Sequence, residues 1–224
     1  MGSSHPITLY HGSEHIVREP KLGLGKPYND YGRGFYCTRE LDMACEWACK
    51  QGGSGFANRY ELDCSDLLVL DLNDGTHTVL HWIALLLANR TFSLSSAIAE
   101  QSRTFILDQF LIDTSKFDLI VGYRADDSYF SFAEAFVENS LPIRRLEEAL
   151  RLGDLGEQVV LISEAAFNRI RFIDAQPADA ATFYPRFKQR DIAARNAYRS
   201  EVRSAPDLEN DVLVLDLMRK AGKR

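Results

Sequence analysis

Two short stretches near the start of the chain combine residue types that could hold a flat ligand. The first is Leu9-Tyr10-His11-Gly12-Ser13, and the second is Gly32-Arg33-Gly34-Phe35-Tyr36-Cys37-Thr38. Glycine permits tight turns and a close approach of bare backbone to a ligand, and the aromatic run of the second stretch favours a β-strand. Together they predict a loop that exposes backbone beside a ligand and a strand that presents an aromatic face to it.

The pattern of apolar residues around these stretches predicts an α+β fold. Short or alternating apolar runs indicate strands, and apolar residues at helical spacing indicate helices between them. We expect Thr38 to cap the first helix, because its hydroxyl can accept a hydrogen bond from a free N–H group. The predicted strands cover 7–10, 35–38, 58–62, 67–72, 117–122, 158–163 and 170–173, and the predicted helices cover 39–51, 80–90, 94–110, 129–138, 143–152 and 164–168.

The last fifth of the chain differs in character from the rest. From residue 178 the pattern is helical and more basic, while 212–218 fits either a helix or a strand. We therefore predict a body over residues 7–174 and a helical C-terminal extension over 175–224. Three arginines recur every four residues on one face of that extension, which suits either nucleic-acid phosphates or a solvated surface. They are Arg195, Arg199 and Arg203, with Arg186 and Arg190 before them.

The length fits one large domain or one domain with an appendage. The chain has 224 residues, of which 46% are hydrophobic, and its net charge of −6 does not suggest a general binder of polyanions. No secretory signal opens the sequence, and no apolar run approaches the roughly 20 residues that cross a bilayer. We expect a cytoplasmic protein without membrane contact. Four cysteines without zinc-site spacing predict buried free thiols and no metal.

The order of these motifs resembles the ADP-ribosyltransferase superfamily of the histidine–tyrosine–glutamate type. The fragments LYHGS, GRGFYCT, WIALLLANR, FDLIVGYRADDSYF and EQVVLIS are more similar still to an uncharacterised bacterial domain family of that clan. The resemblance covers residues 7–174. It implies an ADP-ribosyltransferase-like fold, in which split antiparallel β-sheets surround an NAD cleft, with inserted helices and a helical C-terminal appendage.

The resemblance also implies roles for the residues of the first two stretches. His11 would bind the ribose on the adenosine side, since a neutral imidazole can both donate to and accept from a sugar diol. The backbone of Gly12 would hold the nicotinamide carboxamide, and Tyr36 would stack on the nicotinamide ring. Gly34 would expose backbone to the cofactor, and Thr38 would pack beneath it.

The third motif departs from the family pattern. The head of its strand carries Gln158 where the family has glutamate, and glutamine cannot offset positive charge as a carboxylate does. Glu157 is adjacent, but neighbouring residues of a strand point to opposite faces, so Glu157 and Gln158 cannot both face the cleft. We therefore expect catalysis to involve Tyr36 and Gln158 together with Asp126 or Asp127.

Arginines and a helix end complete the set of candidates. Arg33 or Arg124 would meet the pyrophosphate of NAD. Arg90, at the end of a predicted helix, fits helix packing and capping, or the acceptor side of the site. Structural interpretations stay open for the others: a turn for His11, the core for Tyr36, and a helix cap for Asp126 and Asp127.

The resemblance implies a mono-ADP-ribosyltransferase, a glycosyltransferase that uses NAD as substrate. It would transfer ADP-ribose to a protein or nucleic acid as a bacterial toxin or defence effector, with a neutralising antitoxin or immunity protein as a further partner. One alternative is an NAD glycohydrolase, in which water is the acceptor. The other is a non-catalytic nucleotide-binding or protein-interaction module.

Overall fold

A computed structural model of the chain describes residues 6–124, 127–152, 156–203, 207 and 210–222. The fold is mixed α+β, which confirms the predicted class. Its strands are β1 (Ile7–Ser13), β2 (Phe35–Cys37), β3 (Gly55–Leu62), β4 (Val69–Asp71), β5 (Leu119–Tyr123), β6 (Glu157–Leu161) and β7 (Ile170–Ala178). Its α-helices are α1 (Leu41–Ala48), α2 (Val79–Asn89), α3 (Ala97–Phe110), α4 (Asp127–Val137), α5 (Ile143–Leu152), α6 (Glu164–Arg169), α7 (Ala180–Arg203) and α8 (Val214–Ala221).

The strands form two sheets. One is antiparallel with the order β1-β3-β7, and the other has the order β2-β6-β5-β4. In the second sheet only β4 and β5 are parallel, and α2 and α3 lie in the long crossover that a parallel pair needs. Tyr10 in β1 and Thr38 after β2 form an isolated antiparallel bridge that joins the two sheets.

The four-stranded sheet is buried on both faces. Val159 and Leu161 in β6 pack with Leu9 of the other sheet, whereas Val160 between them packs with Trp82 of α2 on the opposite side. This alternation follows from the pleat of a strand. It explains why β6 is a continuous apolar run, since neither of its faces meets water.

Several element ends differ from the sequence prediction. The sheet continues through β7 to Ala178, five residues beyond the predicted strand end, because β3 supplies hydrogen-bond partners that local sequence does not reveal. The predicted cap is wrong, because Glu40 and not Thr38 is the N-cap of α1, and the Thr38 hydroxyl instead accepts from the Glu40 N–H at 3.2 Å. Residues 214–221 form a helix, which settles the choice between helix and strand.

The C-terminal extension is tied to the body by ion pairs. Arg190 in α7 reaches both carboxylate oxygens of Glu46 in α1, each at 3.0 Å, and Arg186 lies 3.3 Å from Asp42. Arg186 and Arg190 therefore bind carboxylates of the body, and the two alternatives for Arg195, Arg199 and Arg203 stay predictions. The domain boundary at residue 174 stays a prediction, and β7 runs through it.

The remaining sequence expectations concern thiols and membranes. Cys37, Cys45 and Cys49 are buried free thiols and Cys64 is half-buried, and burial raises the pKa of Cys45 to about 11. Within the described ranges, no helix combines the length and hydrophobicity that crossing a bilayer requires.

Replacement of Gly12 by alanine is expected to destabilise the fold. An added Cβ would lie 2.0 Å from the Ala44 carbonyl oxygen and 2.8 Å from the Ala48 nitrogen, so β1 and α1 would have to separate. We expect Gly12→Ala to lower the free energy of unfolding by about 3 kcal/mol, the upper end of typical overpacking costs. Urea denaturation measures this. Gly53→Ala is the matched control, because no atom lies within 4 Å of its added Cβ, and an equal loss in both variants would contradict the prediction.

Candidate functional site

A cavity of about 480 Å³ lies where the two sheets meet. The bridge between Tyr10 and Thr38 forms one wall, with backbone N–O distances of 2.8 and 2.9 Å in the two directions. Residues from distant parts of the sequence converge here. The lining residues used below are His11, Gly12, Asp30, Gly34, Tyr36, Thr38, Trp47, Lys50, Arg90, Arg124 and Gln158.

The pairing of β2 with β6 places Tyr36 and Gln158 on one face of the sheet. Tyr36 is the direct partner of Val160, and Gln158 lies two residues before Val160 on the same strand. Residues two apart on a strand point the same way. The second and third sequence motifs therefore share a face, although 122 positions separate Tyr36 from Gln158.

His11 has one nitrogen committed to the protein. Its Nδ1 lies 2.7 Å from the carbonyl oxygen of Tyr36, which can only accept, so Nδ1 carries a proton and donates. The ring packs on Phe35, with centroids 4.4 Å apart. Burial lowers the pKa of His11 below its ordinary 6.5, against the effect of the Tyr36 carbonyl, and the charge of Lys50 lowers it further. Neutral His11 thus offers Nε2 as an acceptor, and the predicted donation from the same ring to a sugar diol is not available.

The Tyr36 hydroxyl is also committed. It donates to the Gly32 carbonyl oxygen at 2.7 Å and accepts from the Tyr31 N–H at 3.0 Å. Burial raises the pKa of Tyr36 far above neutrality. Tyr36 therefore cannot exchange its proton readily with a ligand, and what it contributes to the cavity is its ring.

The glycines let the walls of the cavity come close together. An added Cβ at Gly34 would lie 2.5 Å from the Val160 side chain and 2.9 Å from the Leu161 carbonyl oxygen. Gly32 has a φ of +75°, a conformation that disfavours other residues. Packing alone thus requires these glycines, and Gly12 and Gly34 also present backbone to the cavity.

A buried carboxylate that the sequence analysis missed stands beside Gln158. Asp30 is 4% exposed, its Oδ1 accepts from Arg90 Nη1 at 2.9 Å, and its Oδ2 lies 3.4 Å from Gln158 Nε2. Gln158 is itself buried, and its Oε1 has no hydrogen-bond partner among the described residues. An acid two residues before Gly32 was a usable signal for Asp30, whereas its partners 60 and 128 positions away could not be identified from sequence.

Two cations lie over the ring of Trp47 at the cavity. The Cζ of buried Arg124 is 3.4 Å from the ring centroid, and the Nζ of Lys50 is 4.4 Å from it. Such contacts hold a cation against an aromatic face. Among the described lining residues five are Lys or Arg and two are Asp or Glu, in a chain whose net charge is −6. The cavity therefore suits an anionic ligand.

The remaining predicted residues are distributed as follows. Thr38 lines the cavity and is buried. Arg33 is outside the lining and donates to the Gly23 carbonyl oxygen at 3.0 Å. Glu157 points away from the cavity, 3.0 Å from Asn73 and 3.7 Å from Arg39. Asp126 and the side chain of Asp127 lie outside the described residues.

A protein-family model matches most of the chain. The model of DUF3990, described as a protein of unknown function, matches residues 7–172. No curated protein and no solved structure matches the chain.

The hydrogen bond and burial of His11 predict its tautomer and its titration. Two-bond ¹H–¹⁵N correlation spectra should show the proton on Nδ1 at pH 7, and the ring should stay neutral to below pH 6.5. The His11 signal is assigned by its absence from His11→Gln. A proton on Nε2, or a titration midpoint above 6.5, would contradict the geometry.

The same shift affects stability. Between the lowered pKa of the folded state and 6.5, the unfolded chain binds the proton of His11 more readily than the folded protein does, so stability falls as the pH falls through this range. As the pH falls through this range, the amount by which the unfolding free energy of the wild type exceeds that of His11→Gln should decrease.

Proposed function

The chain belongs to the DUF3990 family of proteins of unknown function, and we propose that it is a mono-ADP-ribosyltransferase that uses NAD as substrate. The observation that carries the proposal is the convergence of His11, Tyr36 and Gln158, from three separate strands, on one cavity at the junction of two sheets. We propose accordingly that the fold is ADP-ribosyltransferase-like and that this cavity is the NAD cleft.

Each part of NAD has a suitable partner in the cavity. The hydroxyl of Tyr36 is already bonded to the Gly32 carbonyl oxygen, which leaves its ring to stack on nicotinamide. Nε2 of His11 would accept a hydrogen bond from a ribose hydroxyl on the adenosine side. Arg124 and Lys50, both over Trp47, would meet the two phosphates.

The proposed reaction breaks the bond between nicotinamide N1 and ribose C1′. The bonding electron pair moves to N1 and cancels its positive charge, so nicotinamide leaves as a neutral molecule. Positive charge develops on C1′ and the ring oxygen of the ribose, and a nucleophilic oxygen or nitrogen of the acceptor then bonds to C1′. The acceptor releases one proton to solvent, so NAD and the acceptor give ADP-ribosylated acceptor, nicotinamide and a proton.

The resemblance further supports a cytoplasmic bacterial toxin or defence effector. On this proposal its partners are NAD, a protein or nucleic-acid acceptor, and a neutralising antitoxin or immunity protein. With water as the acceptor, the same chemistry would make the protein an NAD glycohydrolase.

A non-catalytic nucleotide-binding module is the second candidate. The observation that favours it is the amide of Gln158 where the superfamily that the chain resembles has glutamate, next to an Asp30 carboxylate already paired with Arg90. Such a protein would bind NAD without releasing nicotinamide.

Calorimetric titration with NAD tests the pocket. We expect binding by the wild type and loss of at least about fivefold in affinity for Tyr36→Ala, since stacking on an aromatic side chain contributes about 1–3 kcal/mol. His11→Ala should also bind more weakly. Tyr28→Ala and His15→Ala are matched controls, because both residues are exposed and neither lines the cavity. No binding by the folded wild type would contradict both the enzyme and the binding-module proposals.

Labelled NAD then separates the activities. NAD labelled in its adenylate is incubated with the protein and a cell lysate, and the products are treated separately with protease and nuclease. A transferase leaves the label on macromolecules that one of the two treatments degrades. Recovery of all label as free ADP-ribose indicates the glycohydrolase, and intact NAD after proven binding indicates the module.

A further inference from the structure

We propose that Asp30 is the catalytic carboxylate of this site, replacing the glutamate that the third motif lacks, and that Gln158 and Arg90 position it. This inference rests on the proposed function. Asp30 would oppose the positive charge that develops on the ribose as nicotinamide leaves.

The first argument is the placement of the carboxylate. Asp30 lines the cavity, and both of its oxygens have a buried or half-buried partner: Arg90 at 2.9 Å and Gln158 at 3.4 Å. Burial raises the pKa of Tyr36, whose ring would hold nicotinamide, and the charge of Asp30 raises it further. Asp30 is therefore close to the end of the cavity where the proposed bond breaks.

The second argument is that the backbone around Asp30 is fixed. Tyr31 on its C-terminal side donates its hydroxyl to the Tyr123 carbonyl oxygen at 2.6 Å and its N–H to Tyr36. On the N-terminal side of Asp30, the Asn29 carbonyl oxygen accepts from the Gly32 N–H at 2.9 Å. A charge held in position before the reaction needs no reorganisation when the transition state forms, which makes such groups effective.

The third argument explains the amide at position 158. A glutamate there would place a second carboxylate at about the distance of a hydrogen bond from Asp30, and two such groups cannot both ionise easily. Gln158 instead offers its Nε2 protons to Asp30, while its Oε1 remains without a partner among the described residues. Gln158 thus positions Asp30 through a hydrogen bond, and Asp30 supplies the carboxylate that a glutamate at position 158 would provide.

Arg90 completes the arrangement. Its guanidinium lies 4.8 Å from the Phe130 ring centroid and pairs with Oδ1 of Asp30. Oδ2 is the oxygen directed to Gln158. In the proposed step no bond forms to Asp30: the C1′–N1 electron pair leaves with nicotinamide, the acceptor bonds to C1′, and its proton passes to solvent.

Nicotinamide release and NAD binding are measured for Asp30→Asn and for the exchange variant Asp30→Asn/Gln158→Glu. Asparagine keeps the size of the side chain and an acceptor for Arg90. We expect Asp30→Asn to bind NAD within threefold of wild type and to release nicotinamide at least about a hundredfold more slowly, the typical effect of removing one preorganised electrostatic group. The exchange variant, in which the carboxylate moves to position 158, should release nicotinamide at least tenfold faster than Asp30→Asn.

Glu157→Gln is the matched control, since this neighbouring carboxylate points away from the cavity and should be neutral in effect. Thermal unfolding of every variant separates a rate effect from a folding effect. Wild-type release by Asp30→Asn, or an exchange variant no faster than Asp30→Asn, overturns this inference alone. A wild type that fails to bind NAD overturns the proposed function, and this inference with it.

Discussion

The backbone bridge between Tyr10 and Thr38 is the constraint on which the site depends. It joins the edge strand of one sheet to the end of β2 in the other through two short hydrogen bonds. Because the bridge fixes β1 against β2, His11 comes within 2.7 Å of the Tyr36 carbonyl oxygen. Both hydrogen bonds use the backbone N–H and C=O groups of Thr38, so its side chain takes no part in the bridge. The cavity is thus a consequence of how the sheets meet.

The long loop between β1 and β2 is held by side chains of the surrounding elements. Fully buried Asn58 in β3 accepts from the Val17 N–H at 2.9 Å and donates to the His11 carbonyl oxygen at 3.1 Å. At the other end, the Tyr36 hydroxyl bonds to Gly32. A loop without regular structure leaves backbone groups that must find partners when buried. Here polar side chains supply those partners, so the loop can serve as a wall of the cavity and carry Asp30 into it.

The sequence predicted the parts of this arrangement that depend on local pattern. Strand and helix periodicity identified the elements, and the alternation of a strand correctly separated Glu157 from Gln158. The Asp30–Arg90 pair escaped prediction because it depends on the packing of α2 against the loop, and no local pattern encodes a contact across 60 positions. The commitment of His11 Nδ1 escaped for the same reason, since a neutral histidine has two possible tautomers and only the fold chooses between them. The end of β7 depended on its partner strand β3, which local propensity does not contain.

The charges of the cavity give it a direction. The charge of Lys50 lowers the pKa of His11. The charge of Asp30 raises the pKa of Tyr36, and the charge of Arg90 lowers it. Lys50 and Arg124 both lie over Trp47, whereas the Asp30 carboxylate, which pairs with Arg90, acts on the Tyr36 end. On the proposed function, NAD has the complementary distribution: its pyrophosphate is negative, and its nicotinamide riboside is the part that carries positive charge. A molecule bound in the opposite sense would bring its phosphates to Asp30 and its positive ring to Lys50, and both contacts would be repulsive in a buried site where such interactions are screened weakly. The same few charges that favour an anionic ligand thus also determine which way round NAD would lie.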